Sequence, residues 1–325
     1  EPGMPRKEQP LHDALRLFDE RFQDTKDTIV VIDEIQDSAK VYSLIRQFAR
    51  EFSCDFIITG SYLGKTLSRE YFQPVGDLDI MILDTLTFEE FLDAEGKRDL
   101  YNSVDLYGKS SHEAYDELKR YYDLYCQIGG YPAVVKTYLE TRDMEICQAE
   151  LDRVIHIFTE ESQGYFDNVL DINLFGQLLP AVAQTMIREK KGSVDLITEL
   201  SKIVYKQESS RLSKKSINQA IAWLYRSHIL DFCGKANDCN PTDISANSRF
   251  YFLDVGVCRS FLDMAGADLP TLRGIVNENF VYIDLLKRVR SRKSLEQRPC
   301  LACIKKARSI SWSIAGKIIK LTVLR

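Results

Sequence analysis

Residues 28–36 read TIVVIDEIQ, and residues 56–61 read FIITGS. Each is an apolar run of strand length that ends on polar side chains, Asp33 and Glu34 in the first, Thr59 and Ser61 in the second. Between them, Ser38 to Phe52 repeats its apolar residues at helical spacing, and an amphipathic helix is expected over Leu11 to Phe22. Strands apolar on both faces that alternate with helices predict an α/β arrangement, a parallel sheet covered on both sides. In such a sheet the strand ends open onto one crevice, so the polar ends of both runs face a common ligand site.

That arrangement of residue types suits nucleotide hydrolysis. In a phosphate-loop NTPase an aspartate at the end of an apolar strand holds the Mg²⁺ shell, and an adjacent glutamate polarises the attacking water. Asp33 and Glu34 fit those roles, and the hydroxyls of Thr59 and Ser61 are placed to sense a γ-phosphate or orient water. One such run read alone is an ordinary buried strand followed by an acidic helix cap. Two in this order favour an NTPase-type sheet. The phosphate loop itself, GxxxxGK[ST], has no counterpart ahead of Ile29. Residues 60–66, GSYLGKT, contain Gly64, Lys65 and Thr66, but the first glycine stands one residue too close and the segment follows the second strand. It is a false match.

Further along, Asp77 to Leu83 alternates polar and apolar residues and suits an edge strand, and Thr87 with Glu90 caps a short helix through Leu92. From Tyr101 the pattern is helical, interrupted by the turn Gly129, Gly130, Tyr131, Pro132. Helices over Val194 to Tyr205 and Ser213 to Arg226, then strands over His228 to Cys233 and Arg249 to Leu253, give the layout of a winged helix. Ile217, Ala220, Ile221 and Leu224 form the apolar face of its second helix and leave Lys214, Lys215, Asn218, Gln219 and Arg226 outward. The expected fold is therefore a partial P-loop NTPase-type parallel sheet followed by a mostly α-helical region with a winged helix. Its expected divisions are an ATPase-type core at 1–98, a helical domain at 99–190, the winged helix at 191–257 and a C-terminal domain with a basic tail at 258–325.

Composition bounds the alternatives. With 45% hydrophobic and 28% charged residues in 325, the chain is a globular protein able to bury a real core. No apolar run approaches the length of a membrane span, and EPGMPRKEQP lacks the apolar centre of a signal peptide, so no membrane partner and a cytoplasmic location are expected. Eight scattered cysteines in a chain of this size are expected to be reduced thiols. Cys300 and Cys303 make half a zinc site with no second pair to complete it, and the four histidines are dispersed. From Lys287 onward there are twelve Lys or Arg and one acid, Glu296, which leaves 31 basic and 47 acidic residues before Lys287. An acidic body thus ends in a basic tail, whose abrupt change of composition sets 294–325 apart from what precedes it.

Six stretches carry a family resemblance: VVIDEIQ (30–36), IITGSYLG (57–64), LTFEEFL (86–92), GGYPAVV (129–135), YFLDVGV (251–257) and GIVNENFVYIDLL (274–286). In that order they resemble the landmarks of a prokaryotic AAA+-like ATPase family, over about Leu11 to Arg288. Its members join an ATPase domain, a winged helix and a C-terminal domain resembling restriction-type nucleases. The resemblance implies ATP and Mg²⁺ as cofactors, Asp33 and Glu34 as the Walker B pair and Ser61 at the sensor position. It also implies a Walker A loop ahead of Glu1. Many relatives place Arg or Lys after a glycine before the LTFEEFL helix, whereas Gly76 is followed here by Asp77. The family's nuclease-like site joins a helix glutamate, matching Glu278, to an acidic strand residue and an ExK motif, and the basic tail contains neither. The expected function is that of an AAA+-like ATP-binding protein, impaired as an ATPase without a Walker A loop. The alternative is a non-catalytic module that binds nucleic acid or a partner protein through the winged helix and the basic tail.

Overall fold

The computed structural model describes residues 10–60, 79, 81–105, 107–164, 174–188, 196–207, 214–236, 244–291, 299–304, 307–314 and 317–322. The chain divides into two compact units, Glu1–Met81 and Ile82–Arg325.

The first unit contains α1 (Pro10–Phe18), β1 (Ile29–Ile32), a 3-10 turn at Ile35–Asp37, α2 (Ala39–Glu51) and β2 (Asp55–Ile58). Helix α1 ends four residues before the periodicity predicts. The carboxylate of Asp19 accepts from the Arg21 amide at 2.9 Å and from its guanidinium, a local turn that competes with helix propagation. Ser38 caps α2 by accepting from the Val41 amide at 3.2 Å. β1 and β2 pair in parallel, Ile29 opposite Asp55 through Ile32 opposite Ile58. On one face of this pair α2 packs Ile45 and Phe48, with Ile35, against Ile32, Phe56 and Ile58. The other face departs from the expectation of a sheet covered on both sides. Ile29, Val31 and Ile57 are 60%, 63% and 51% exposed, because no layer among the described residues lies over them.

The second unit begins with α3 (Phe88–Ala94), α4 (Arg98–Ser103), α5 (His112–Ile128), α6 (Pro132–Thr141), α7 (Met144–Gly164) and α8 (Leu174–Arg188). Asp79 and the residues from Met81 to Leu83 are in no strand, against the edge strand expected over Asp77 to Leu83. The capping box at Thr87 forms as predicted: Thr87 Oγ1 accepts from the Glu90 amide, and the Glu90 carboxylate accepts from the Thr87 amide.

Then come α9 (Leu196–Gln207), α10 (Lys214–Arg226), β3 (Leu230–Ala236), β4 (Ile244–Phe252), α11 (Val255–Met264), α12 (Leu269–Ser291), β5 (Cys300–Ile304), β6 (Ala307–Ile314) and β7 (Lys317–Thr322). Strand β3 starts two residues later than predicted because His228, at φ 55°, closes a left-handed turn after α10. Ile217, Ala220, Ile221 and Leu224 are all buried, as the spacing along α10 predicts. β3 pairs antiparallel with β4 and parallel with β5, and β5, β6 and β7 continue as an antiparallel meander. The compositionally distinct tail is thus joined by its backbone to the sheet that begins with β3.

Four of the six sequence landmarks meet inside this unit. Asp254, fully buried, accepts from the Gly130 amide at 2.8 Å and, as the cap of α11, from the Gly256 and Val257 amides at 2.9 and 3.1 Å. The Leu86 amide donates to the Gly130 carbonyl at 2.7 Å, and Tyr125 Oη donates to the Leu86 carbonyl at 2.6 Å. Glycine is required where these backbones touch: a Cβ on Gly256 falls 2.6 Å from the Gly129 nitrogen, and one on Gly130 falls 2.2 Å from the Leu86 oxygen. Asn279 on α12 acts as a strand partner, accepting from the Phe252 amide at 3.0 Å and donating to its carbonyl at 2.9 Å.

Candidate functional site

The sheet of the first unit places its polar residues by register. With Ile32 opposite Ile58, the next residues on each strand, Asp33 and Thr59, leave the same end of the pair side by side. Two backbone bonds extend the pairing past the strands: the Thr59 amide donates to the Ile32 carbonyl at 2.9 Å, and the Ile35 amide donates to the Thr59 carbonyl at 3.0 Å. Thr59 Oγ1 donates to Asp33 Oδ1, which also accepts from the Glu34 amide at 3.0 Å. One carboxylate oxygen thus links both strand ends.

Glu34 adopts a left-handed backbone, φ 52° and ψ 47°, as it enters the 3-10 turn. A non-glycine residue there costs about 1–2 kcal/mol, so the neighbours must hold it. The Ile35 bond to the second strand is one restraint. Gln36 is another: its side chain is 2% exposed, and Nε2 donates to Glu34 Oε2. Gln36 carries no role in the sequence pattern. It stands two residues after the glutamate, just beyond a strand, and the 3-10 turn, which no local pattern announces, folds it back beneath that side chain.

Asp33 and Glu34 themselves are exposed, open to a ligand at the end of the strands. The oxygen donors Asp33 and Thr59 suit a hard cation such as Mg²⁺, which takes one or two protein ligands and completes its shell with water and phosphate. Ser61 lies outside the described residues, as do Gly64, Lys65, Thr66, Gly76 and Asp77.

Other sequence candidates have structural employment. His12 stacks on Phe52 with ring centres 4.3 Å apart, and its Nε2 is 3.3 Å from Asp24 Oδ2. Cys54, Cys126, Cys147, Cys233 and Cys258 are buried and joined in no disulfide. Burial pushes the Cys54 thiol up to about 11 and the Cys126 thiol up to about 12, which keeps both protonated and inert. Glu278, the counterpart of a nuclease-like ligand, pairs with buried Arg249 at 2.6 Å and accepts from Tyr251 Oη at 2.9 Å. Tyr122 and Tyr125 on α5 are packing residues, and Phe88 meets them at 5.8 and 5.5 Å between ring centres. Among the described residues no group of three or more His, Cys, Asp or Glu side chains is placed to hold a metal ion, and no helix is long and apolar enough to cross a membrane.

Comparison with known families divides the chain in a related way. Residues 119–268 match the model of a domain of unknown function, DUF8612. No curated protein matches the chain. Residues 4–92, which contain the β1–α2–β2 unit and the Asp33 site, match the model of the AAA domain, so this part of the chain is similar to an AAA-type nucleotide-binding ATPase domain.

Proposed function

We propose that the first unit is an ATP-binding unit of the AAA+-like class, with its reaction centre at Asp33, Glu34 and Ser61. The observation that carries this reading is the parallel register that delivers Asp33 and Thr59 to one sheet end and bonds them there. In the proposed mechanism Asp33 would hold the Mg²⁺ of a bound ATP, and that ion would supply charge neutralisation at the phosphates. Glu34 orients the attacking water and draws off its proton. Gln36 keeps the Glu34 carboxylate aimed, and the Ser61 hydroxyl reads the γ-phosphate.

The sequence 1–325 supplies no phosphate loop, and backbone amides with a lysine make most of the contacts to a triphosphate. A polypeptide of residues 1–325 by itself is therefore expected to bind Mg-ATP weakly and to hydrolyse it slowly or not at all. Titration with a fluorescent ATP analogue, with and without Mg²⁺, tests the reading. Asp33→Asn is expected to erase the Mg²⁺-dependent part of binding, while Glu34→Gln leaves binding within about twofold and removes any residual turnover. Brisk hydrolysis that survives Glu34→Gln would place the chemistry elsewhere.

A second reading, binding of nucleic acid or a partner protein, is favoured by a separate surface in the second unit. There α9, α10 and the β3–β4 pair follow one another in the order expected of a winged helix.

A further inference from the structure

The segment from Leu196 to Arg226, which covers α9 and α10, carries six Lys or Arg and two Glu, in a chain whose residues before Lys287 are strongly acidic. Helix α10 has three basic residues and no acid at all. Its side chains divide cleanly. Ile217, Ala220, Ile221, Trp223 and Leu224 are buried, and Trp223 Nε1 is anchored by Ser162 Oγ at 3.1 Å. Lys214, Lys215, Asn218, Gln219 and Arg226 are exposed, with half-buried Ala222 among them.

These residues recur at intervals of three and four and so form one stripe along the helix. Lys215 and Arg226 stand at its two ends, roughly 17 Å apart along the axis at 1.5 Å per residue. The major groove of a DNA duplex is about 12 Å wide, so cations so spaced reach the phosphates on both of its walls. Between them lie Asn218 and Gln219, the side chains whose amides pair bidentately with adenine, and Ala222, small enough to let the helix approach and to touch a thymine methyl. Lys214 donates to Thr198 Oγ1 at 2.7 Å, which ties the start of α10 to α9.

We propose that this face of α10 is a recognition surface for duplex DNA, with Lys214, Lys215 and Arg226 on phosphates and Asn218 and Gln219 on base edges in the major groove. The charge fits one class of partner. A basic, amide-bearing stripe attracts anions, and the dense phosphates of a duplex add to that attraction the release of their condensed counterions. The surface belongs to the second unit and does not depend on the nucleotide reading, so either proposal can fail without the other.

Fluorescence anisotropy of a labelled mixed-sequence DNA duplex of about 20 base pairs, titrated with the full chain at low salt, provides the test. Saturable binding is expected, weakening steeply as salt rises. Lys214→Glu with Lys215→Glu should weaken it at least tenfold across all duplexes. Asn218→Ala with Gln219→Ala should act mainly on sequence, narrowing the difference between A·T-containing and G·C-only duplexes while changing the salt slope little. Both variants must keep the parent's circular dichroism and melting temperature. Three results overturn the proposal: no saturable binding at low salt, tighter binding to single-stranded RNA than to the duplex, or duplex binding that survives the α10 charge reversal and is lost on Lys305→Glu with Lys306→Glu in the tail.

Discussion

At the scale of single residues, the structure separates side chains placed for a ligand from side chains placed for each other. Asp33 and Glu34 end on solvent, held from behind by Thr59 on the neighbouring strand and by Gln36 in the 3-10 turn. Glu278, which family resemblance matches to a metal-binding glutamate, is instead neutralised by Arg249, whose side chain is fully buried. An ion pair so deep contributes little as a pair, because desolvation offsets the attraction, yet stranding one partner is expensive. Arg249→Ala is therefore expected to cost about 3–5 kcal/mol in chemical denaturation. Adding Glu278→Leu to an Arg249→Met variant should recover most of that loss. A glutamate kept for metal would behave differently: the single Glu278→Gln would be silent in stability, and the double variant would gain nothing.

At the scale of elements, legibility in the sequence follows the range of the interaction. β1, α2, β2, the box at Thr87 and the buried stripe of α10 are fixed by periodicity and by caps within four residues, and the sequence shows them to within one or two positions. The Asp33–Thr59 bond was legible in part, since parallel pairing of two recognisable strands implies it. Gln36 under Glu34 and Asn279 against Phe252 were not. Each depends on where a side chain arrives after the backbone has turned, and no local pattern encodes that. The grip of α12 on the start of the second unit is of this kind as well. Lys287 donates to the Thr85 carbonyl, Arg290 meets Asp84 at 3.0 and 3.1 Å, and Arg288 joins Arg98 on the Glu89 carboxylate.

Glu89 gives that grip a pH dependence. Burial alone would raise its carboxyl, but the Arg288 hydrogen bond and charge, with Arg98 behind them, bring it below the ordinary 4.5. A carboxyl depressed in the folded state adds stability above its unfolded value, and that stability is lost as pH falls through the folded value. Glu89→Gln is thus expected to lower the melting temperature at pH 7. The gap to the parent should shrink once the pH drops below about 4.5 and close under more acidic conditions. A gap that stays constant with pH would assign the effect to packing alone.

At the scale of the whole molecule, the two units differ in how completely they bury what they contain. In the second, Tyr251, Tyr282, Leu285 and Leu286 close a core with Cys233 and Leu253 under β3, β4 and α12. In the first, a two-strand parallel pair has its core on the α2 side, and the opposite face shows Ile29, Val31 and Ile57 to solvent. Parallel sheets are ordinarily buried on both faces, and an open apolar face favours self-association. Because these side chains rest on no layer among the described residues, replacing them should improve solution behaviour without the cost of a core substitution. Val31→Thr with Ile57→Thr keeps β-branching and strand propensity while removing apolar surface. The expected outcome is reduced light scattering at high protein concentration, with the unfolding free energy within about 1 kcal/mol of the parent. A loss of several kcal/mol would instead mean that this face is packed in solution, and the open side of the sheet would then be part of the folded core rather than its boundary.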